Sequence, residues 1–413
     1  MKLFPKILIV SLIIAIIPIG GMVFYFVTML NEVGDFSVDT SRSALTQQAQ
    51  DFFTLETQRI AEKIESYLHE REDDAVYTAS IFSHVNDTAS YRDQLLAFQE
   101  NTNSSLWLNN GTEINPESVN IITYLYPDIA VTNASGYEII HLVNGLDATL
   151  RNVSIGPNTD YLNESYFSDT KNLLEGECHV TQLETWYMNR TEIFGEPPLD
   201  PDYNNFSIVP GLDFMKTGYI RFCAPIYNNS VFQGIVVLSL DYLHFRELIK
   251  HIDPSSTESV ISSTYAGNYV LIFDDEGTTI VHPKPNNIRG RLSNGTLASY
   301  QVKGVTSKIG NFAFNYYAYN DDYREIAQIV LDEKGHHART TTDVSGRVKM
   351  TISVPIIFNV SGYTSKGVFG GVFISISLIL SMIALTLSVK TSIPASIMHI
   401  SMQSSLPPLW LLQ

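Results

Sequence analysis

The chain has 413 residues, 45% of them hydrophobic, and 26 lysines and arginines stand against 43 acidic residues for a net charge of −17. That balance, with no basic stripe, excludes nucleic acid as a partner and suits an acidic domain exposed to solvent. Two cysteines, Cys178 and Cys223, are too few for a zinc cluster. Each falls in a candidate strand, which leaves two readings open: a disulfide formed outside the cytoplasm, or two free core thiols.

From Ile7 to Leu30 there is no charged residue across 24 positions, enough to cross about 30 Å of hydrocarbon at ~1.5 Å per residue. Lys2 and Lys6 precede this run, and Glu32 and Asp35 come after it. The positive-inside bias therefore keeps the N-terminus cytoplasmic and exports the chain beyond the run. The run is longer than a signal-peptide core and no Ala-x-Ala site closes it, which favours an uncleaved anchor within residues 1–34. Asn-x-Ser/Thr acceptors on the exported side agree: Asn86, Asn103, Asn110, Asn133, Asn152, Asn163, Asn189, Asn205, Asn228, Asn294 and Asn359 are candidates for glycosylation. They are 11 of 27 asparagines, where chance would place about four; the abundance of Asn, Ser and Thr in turns is the rival explanation.

Ser41 to Ser83 contains neither proline nor glycine. Leu45, Ala49, Phe52, Ile60, Ile64 and Leu68 fall on one helical face, which predicts a single helix of ~64 Å with Asp39 or Thr40 as its N-cap. Such a helix leads away from the membrane and can brace the domains beyond it; a homodimer-forming coiled coil is the alternative for the same stripe. Asn101 to Ser118 is polar and reads as a loop, completing a region from 35 to 120.

The remainder says one phrase twice. Asp128–His141 is echoed by Tyr269–His282, Arg221–Asn228 by Met350–Asn359, and Phe232–Leu240 by Phe369–Ile376. Pro225 to Pro355 is 130 residues, Gly234 to Gly371 is 137 and Gly136 to Gly277 is 141. Offsets so close indicate two copies of one small β-rich module, here placed at 121–252 and 253–376. The first is expected to hold the hairpin Ile129–Leu142, a short helix near Tyr166–Leu174 and a strand at Glu177–Leu183. A long insertion from Asn189 to Met215 then precedes paired strands at Tyr219–Tyr227 and Gly234–Leu240, and a connecting helix at Tyr242–Ile252. Asp274-Asp275-Glu276-Gly277 lacks the spacing of a calcium loop and reads as a hairpin turn.

The C-terminus has two readings. Val368 to Val389 is uncharged for 22 residues and scans as a second transmembrane helix, yet the repeat assigns Val368–Ile376 to a strand. The strand would leave residues 377–413 as an apolar tail. Only six residues precede the first anchor and about 23 follow Lys390, so an output module is expected to be missing or to reside on a separate partner.

No metal-ligand spacing, nucleophile elbow, phosphate loop or dinucleotide turn is present, so no cofactor and no enzymatic activity is expected. The candidate binding residues are Tyr166, Trp186, Tyr187, Asp213 and Arg221, which together offer aromatic walls and one charge pair. Arg221 alternates with Ile220, Phe222 and Ala224, leaves the apolar face, and is suited to clamp a carboxylate; plain packing and a surface ion pair are the simpler alternatives.

Asn163-Glu164-Ser165-Tyr166-Phe167-Ser168-Asp169-Thr170, Gly176-Glu177 and Ile220-Arg221-Phe222-Cys223-Ala224-Pro225-Ile226-Tyr227 resemble the double Cache (PAS-like) sensor domains of archaeal and bacterial histidine kinases and chemoreceptors. The resemblance covers about residues 35–376. It implies an α+β fold, in which a long N-terminal helix is followed by two tandem antiparallel-sheet modules on a membrane anchor, the first module distal and the second proximal. It also implies an extracytoplasmic receptor that binds a small molecule in the distal module and signals to a kinase or chemoreceptor output module. Glu164-Ser165-Tyr166-Phe167 lacks the arginine and tryptophan of the family's amino-acid-binding element, which counts against an amino-acid ligand. The contrasting expectation is a glycosylated surface protein with a structural or binding role and no signalling.

Overall fold

The computed structural model describes residues 4–83, 87–109, 118–186, 218–250, 268–282, 288–291, 295–297, 299–302, 311–342 and 348–377. The chain divides into two compact units, Met1–Phe52 and Phe53–Gln413. Helix α1, Phe4–Phe82, accounts for the described backbone of the first. Asp39 and Thr40 lie inside this helix and so cap nothing. Between Leu30 and Ser41 the chain has one glycine and no proline, and a single glycine costs only about 1 kcal/mol in a helix interior. Most side chains of the apolar run 7–30 lie outside the described residues; among those described, no helix is long and apolar enough to cross a membrane.

In the second unit, α1 buries Phe53, Ile64, Leu68 and Ala75. Asp74 accepts a hydrogen bond from Tyr126 Oη at 2.6 Å, and the His69 ring lies 5.0 Å from that of Phe358. The helix thus touches the segments of both repeats, as a brace would. Helix α2, Thr88–Asn101, starts where the Asp87 side chain accepts from Ala89 N at 3.1 Å. Its buried Gln99 donates to Tyr126 O at 2.7 Å and accepts from Gly145 N at 2.9 Å, so both ends of the amide are satisfied. The polar stretch expected as a loop is mostly paired: β1, Asn103–Asn109, runs antiparallel to β2, Ser118–Tyr124. Backbone pairing needs no apolar side chains, so polar composition conceals such a ribbon.

Seven strands build the first sheet: β3 (Asp128–Thr132), β4 (Glu138–Val143), β5 (Leu146–Asp147), β6 (His179–Val180), β7 (Glu184–Thr185), β8 (Gly218–Asn228) and β9 (Val231–Asp241). Their order is β5-β4-β3-β9-β8-β6, with β7 also on β8. The strand expected at Glu177–Leu183 is cut to β6 and resumes as β7. Helix α3, Tyr166–Thr170, lies over this sheet, and α4, Tyr242–Lys250, follows β9.

The second sheet comprises β10 (Tyr269–Asp274), β11 (Thr279–Val281), and, beyond the small parallel pair β12 (Ser299–Tyr300) and β13 (Asn311–Ala313), β14 (His337–Thr342), β15 (Val348–Ile357) and β16 (Val368–Ser377). Its order is β11-β10-β16-β15-β14. Position by position this repeats β4-β3-β9-β8-β6. Helices α5 (Tyr316–Tyr319) and α6 (Asp321–Ala327) and a π-helical turn (Gln328–Asp332) cover it. The repeat extends to hydrogen bonds. Asn133 Oδ1 accepts from Ser135 N and Tyr137 N at 2.9 and 3.1 Å, and Asp274 Oδ1 from Glu276 N and Thr278 N at 3.0 and 2.7 Å. Gly136 and Gly277 follow with φ of +83° and +77°, a conformation that glycine alone adopts without strain.

Register corrects one equivalence. Thr132 O would lie 1.9 Å from a Cβ on Gly234, and Phe273 O, its counterpart, 1.9 Å from a Cβ on Gly370. Gly234 therefore matches Gly370, not Gly371. In the same frame Asp128 pairs with Ser239 in register as Tyr269 does with Ser375, and Arg221 with Ser239 as Thr351 does with Ser375. β16 pairs with both β10 and β15 at the centre of its sheet, so Val368–Ser377 is a strand. The tail 378–413, the insertion Asn189–Met215 and the end of the expected helix at Ile252 lie outside the described residues.

Candidate functional site

Strand alternation places Ile220, Phe222 and Ala224 on one face of β8 and Arg221 and Cys223 on the other. The register then lines up Arg221, Ser239 and Asp128 side by side across β8, β9 and β3. Arg221 is only 2% exposed. Its Nη1 donates to Asp128 Oδ2 at 3.1 Å and to Ser239 Oγ at 2.5 Å. The loop between β5 and α3 closes over the other edge: Nε donates to Glu164 Oε1 at 2.9 Å, and Nη2 to Asp160 Oδ2 at 2.7 Å and Glu164 Oε2 at 3.5 Å. All five N–H groups of the guanidinium are thereby used. Tyr166, Tyr219 and Tyr161 surround it, with ring centroids 5.2, 5.4 and 6.0 Å from its central carbon.

The network continues outward. Arg151 contacts Asp160, donates through Nη2 to Glu138 Oε1 at 3.3 Å, and through its backbone N to Glu138 Oε2 at 2.7 Å. His141 Nε2 lies 3.2 Å from Asp128 Oδ1, and its Nδ1 lies 3.0 Å from Thr149 O and 3.4 Å from Glu138 Oε2. Burial alone would raise the Asp128 carboxyl; the hydrogen bond from His141 and the charge of Arg221 outweigh it and hold the group at about 2. Burial likewise opposes the His141 imidazolium, yet its bond to Asp128 raises the pKa above the usual value. Arg221 is driven well above its ordinary range because Glu164 and Asp128 outweigh its burial. Burial also pushes the Tyr166 and Tyr161 phenols up, so both rings stay neutral. Four carboxylates, Asp128, Glu138, Asp160 and Glu164, thus face two guanidiniums and one imidazole. The cluster carries surplus negative charge.

A groove of about 440 Å³ opens between α2 and β4–β5, lined by Thr88, Arg92, Ile140, His141, Asp147 and Leu150 among others. His141 on its wall is the residue that bonds Asp128, so the groove meets the outer end of the network. Arg92 spans it through paired bonds to Asp147, both 2.7 Å.

Of the residues expected from sequence, Tyr166 and Arg221 come together. Trp186 stands one layer away, stacked on Tyr161 at 5.8 Å. Tyr187 and Asp213 lie outside the described residues, and the carboxylates that hold Arg221 are Asp128, Asp160 and Glu164. A ligand carboxylate can reach Arg221 only by displacing one of these. The missed residues carried faint signals: Glu164 stands beside Tyr166, and His141 recurs as His282. Cys178 and Cys223 are both free and buried, which corrects the disulfide reading; in the β6–β8 pairing His179, not Cys178, stands opposite Cys223. Burial raises both thiols. Among the sequons, Asn103, Asn163, Asn228 and Asn359 are exposed and Asn133 and Asn152 half-buried; Asn86, Asn110, Asn189, Asn205 and Asn294 lie outside the described residues.

No protein-family model and no curated protein matches the chain. Among solved structures it is similar to the extracellular domain of a protein described as a histidine kinase, with 13% identity over 86% of this chain and 98% of that one and a TM-score of 0.48. The sensory domain of the Campylobacter jejuni chemoreceptor Tlp3, with isoleucine bound, is similar at 7% identity over 82% and 96%, with a TM-score of 0.44. The ligand-binding domain of the Pseudomonas fluorescens chemoreceptor CtaA, in complex with L-serine, is similar at 10% identity over 81% and 99%, with a TM-score of 0.42. These TM-scores are below 0.5, and the two-module architecture rests on this chain's own strand order and register.

Proposed function

We propose that the chain is the small-molecule-sensing, extracytoplasmic part of a membrane signal-transduction protein, with its ligand site in the first module. The observation that carries this reading is the unequal pair of sheets. One fold is built twice, yet among the described residues only the first copy places a buried, net-negative ionic cluster on the face covered by its short helix. A structural repeat gains nothing from such a cluster, because replacing buried ion pairs with apolar side chains is often neutral or stabilising. A binding site has a use for it. The oxygens of the four carboxylates already accept hydrogen bonds, which suits holding charge rather than bond-breaking and supports a non-enzymatic role.

The surplus of carboxylates selects the ligand class: a small molecule bearing an amine or another cationic group. An anion would have to displace Asp160 or Glu164. The double Cache resemblance, the acceptor asparagines and the uncharged run 7–30 support a domain exported behind a membrane anchor and read by a kinase or chemoreceptor output module. Thermal unfolding of the full chain in detergent, screened against amines, organic acids and neutral osmolytes, tests the reading. An amine at 100 times its Kd adds about 2.7 kcal/mol. Stabilisation by acids alone would overturn the ligand class, and stabilisation by nothing would overturn the sensor reading.

A further inference from the structure

The edge of the first sheet differs from its counterpart. In the second sheet the edge strand β14 is continuous for six residues; in the first, β6 and β7 are separated by Thr181, Gln182 and Leu183. This broken edge faces the second module, and seven of the eight residues from His179 to Trp186 bond or bridge to it. Val180 N donates to Ser361 O at 2.9 Å and His179 Nδ1 lies 3.2 Å from Ser361 Oγ. Tyr363 Oη donates to Thr181 O at 3.1 Å. Gln182 donates to Asp275 at 2.8 Å and accepts from Arg289. Glu184 takes two bonds from Arg291, at 2.9 and 3.1 Å. Thr185 donates through Oγ1 to Arg289 O at 2.6 Å and accepts from Arg291 N at 2.8 Å.

The same residues grip the charged cluster. Thr181 N donates to Arg221 O at 3.0 Å, while Arg221 N donates to Thr181 Oγ1 at 2.9 Å. Trp186, bridged to Arg291, stacks on Tyr161, whose neighbour Asp160 bonds the Arg221 guanidinium. The backbone of Arg221 cannot shift without Thr181, and the loop that covers Arg221 cannot lift without disturbing Trp186. Close approach leaves little slack: Val180 O would lie 2.1 Å from a Cβ on Gly362.

We propose that residues 179–186 form a strut that transmits changes at the Arg221 cluster to the second module, and the reverse. The strut concerns the site assigned above to the ligand, but it is tested without any ligand, so either reading can fail while the other stands. Coupling of this kind is reciprocal and changes local opening from about twofold to about thirtyfold.

The test is hydrogen–deuterium exchange on the full chain in detergent, comparing the wild type with Asp160→Asn, which weakens the bridge between Arg221 and Arg151. Expected is faster exchange, by about threefold or more, at 155–165 and also across the interface, in peptides covering 288–291 and 358–363. Arg289→Ala should in turn speed exchange at 159–166. Asp93→Asn, a comparable charge removal on the exposed side of α2, should leave all of these peptides unchanged. If Asp160→Asn does not fold, Tyr161→Leu removes the Trp186 stack without touching a buried charge. Exchange that rises only inside the first module, or a matching rise in Asp93→Asn, would overturn the strut.

Discussion

The two modules answer one design problem differently. At the position where β3, β8 and β9 present Asp128, Arg221 and Ser239, β10, β15 and β16 present Tyr269, Thr351 and Ser375. In the first module, the face under α3 is ionic next to a small apolar cluster of Ala130, Val153, Tyr166, Phe167, Cys223, Ile235 and Val237. In the second, the corresponding face is filled by Leu271, Phe273, Tyr316, Ile326, Val330 and Phe373. Phe273 stacks on Tyr316 at 4.2 Å, and Tyr323 meets Tyr316 edge-on at 5.3 Å. The second module is therefore held by apolar packing and the first, on this face, by charge. Duplication preserved the backbone and released the side chains to diverge.

Arg221→Ala should strike this contrast hardest. It strands buried carboxylates at Asp128 and Glu164, and breaking a buried ion pair costs about 3–5 kcal/mol. Thr351→Ala at the equivalent position should cost about 1 kcal/mol or less. Chemical denaturation of each variant checks the pair, and equal losses would show that the two faces do the same job.

Gly234→Ala and Gly370→Ala probe what the modules share. Each places a Cβ 1.9 Å from a carbonyl oxygen of the neighbouring strand, so both should lose about 3 kcal/mol from overpacking and backbone shift. A large loss at one and none at the other would break the register equivalence.

Acid should separate the modules next. Asp128 titrates in the fold at about 2, below the ~3.9 of a free carboxyl. Its contribution, about 3 kcal/mol at 1.36 kcal/mol per pKa unit, is present above pH 4 and lost as pH falls towards 2. Asp274 behaves oppositely. Burial lifts it to about 7, outweighing Arg289, which stands 3.5 Å away and also serves Glu276 at 3.0 Å. A raised carboxyl costs stability as pH rises through 4 to 7, so acidification over that range stabilises the second module. His141, raised by Asp128, stabilises the first module below about pH 6.5 and ceases to do so as pH rises through its folded value. Exchange measured from pH 7 to pH 3 should show the first module opening before the second; the reverse order would refute these assignments.

The smallest effect sharpens the contrast at one atom. Cys223 corresponds to Ser353, which is fully buried and whose Oγ has no hydrogen-bond partner among the described residues. Ser353→Cys should be neutral or stabilise by about 1 kcal/mol, whereas Cys223→Ser should cost a similar amount. Thermal unfolding distinguishes the two directions.

The duplication, the hairpins at Asn133–Gly136 and Asp274–Gly277 and the helix beyond Ser41 were legible in the residues, because alternation, turn chemistry and helical periodicity are local. Arg221 was legible as a polar residue leaving an apolar face. Its partners were not: Asp128 and Asp160 stand 93 and 61 positions away, and no local pattern joins them. The ribbon of β1 and β2 was not legible because polar side chains hide a backbone ladder. Nor was the continuous α1, because capping residues mark a helix start only where the helix does start.

By itself, then, the amino-acid order determined two copies of a sheet module, a long helix, and which face of β8 would be polar. The tertiary structure alone decided that Gly234 matches Gly370, that the cysteines stay unbridged, that Arg221 is saturated by three carboxylates, and that residues 179–186 dock on the second module. These outcomes depend on which strands become neighbours. That is set by packing across a hundred or more residues, and one residue of register exchanges every partner on a face.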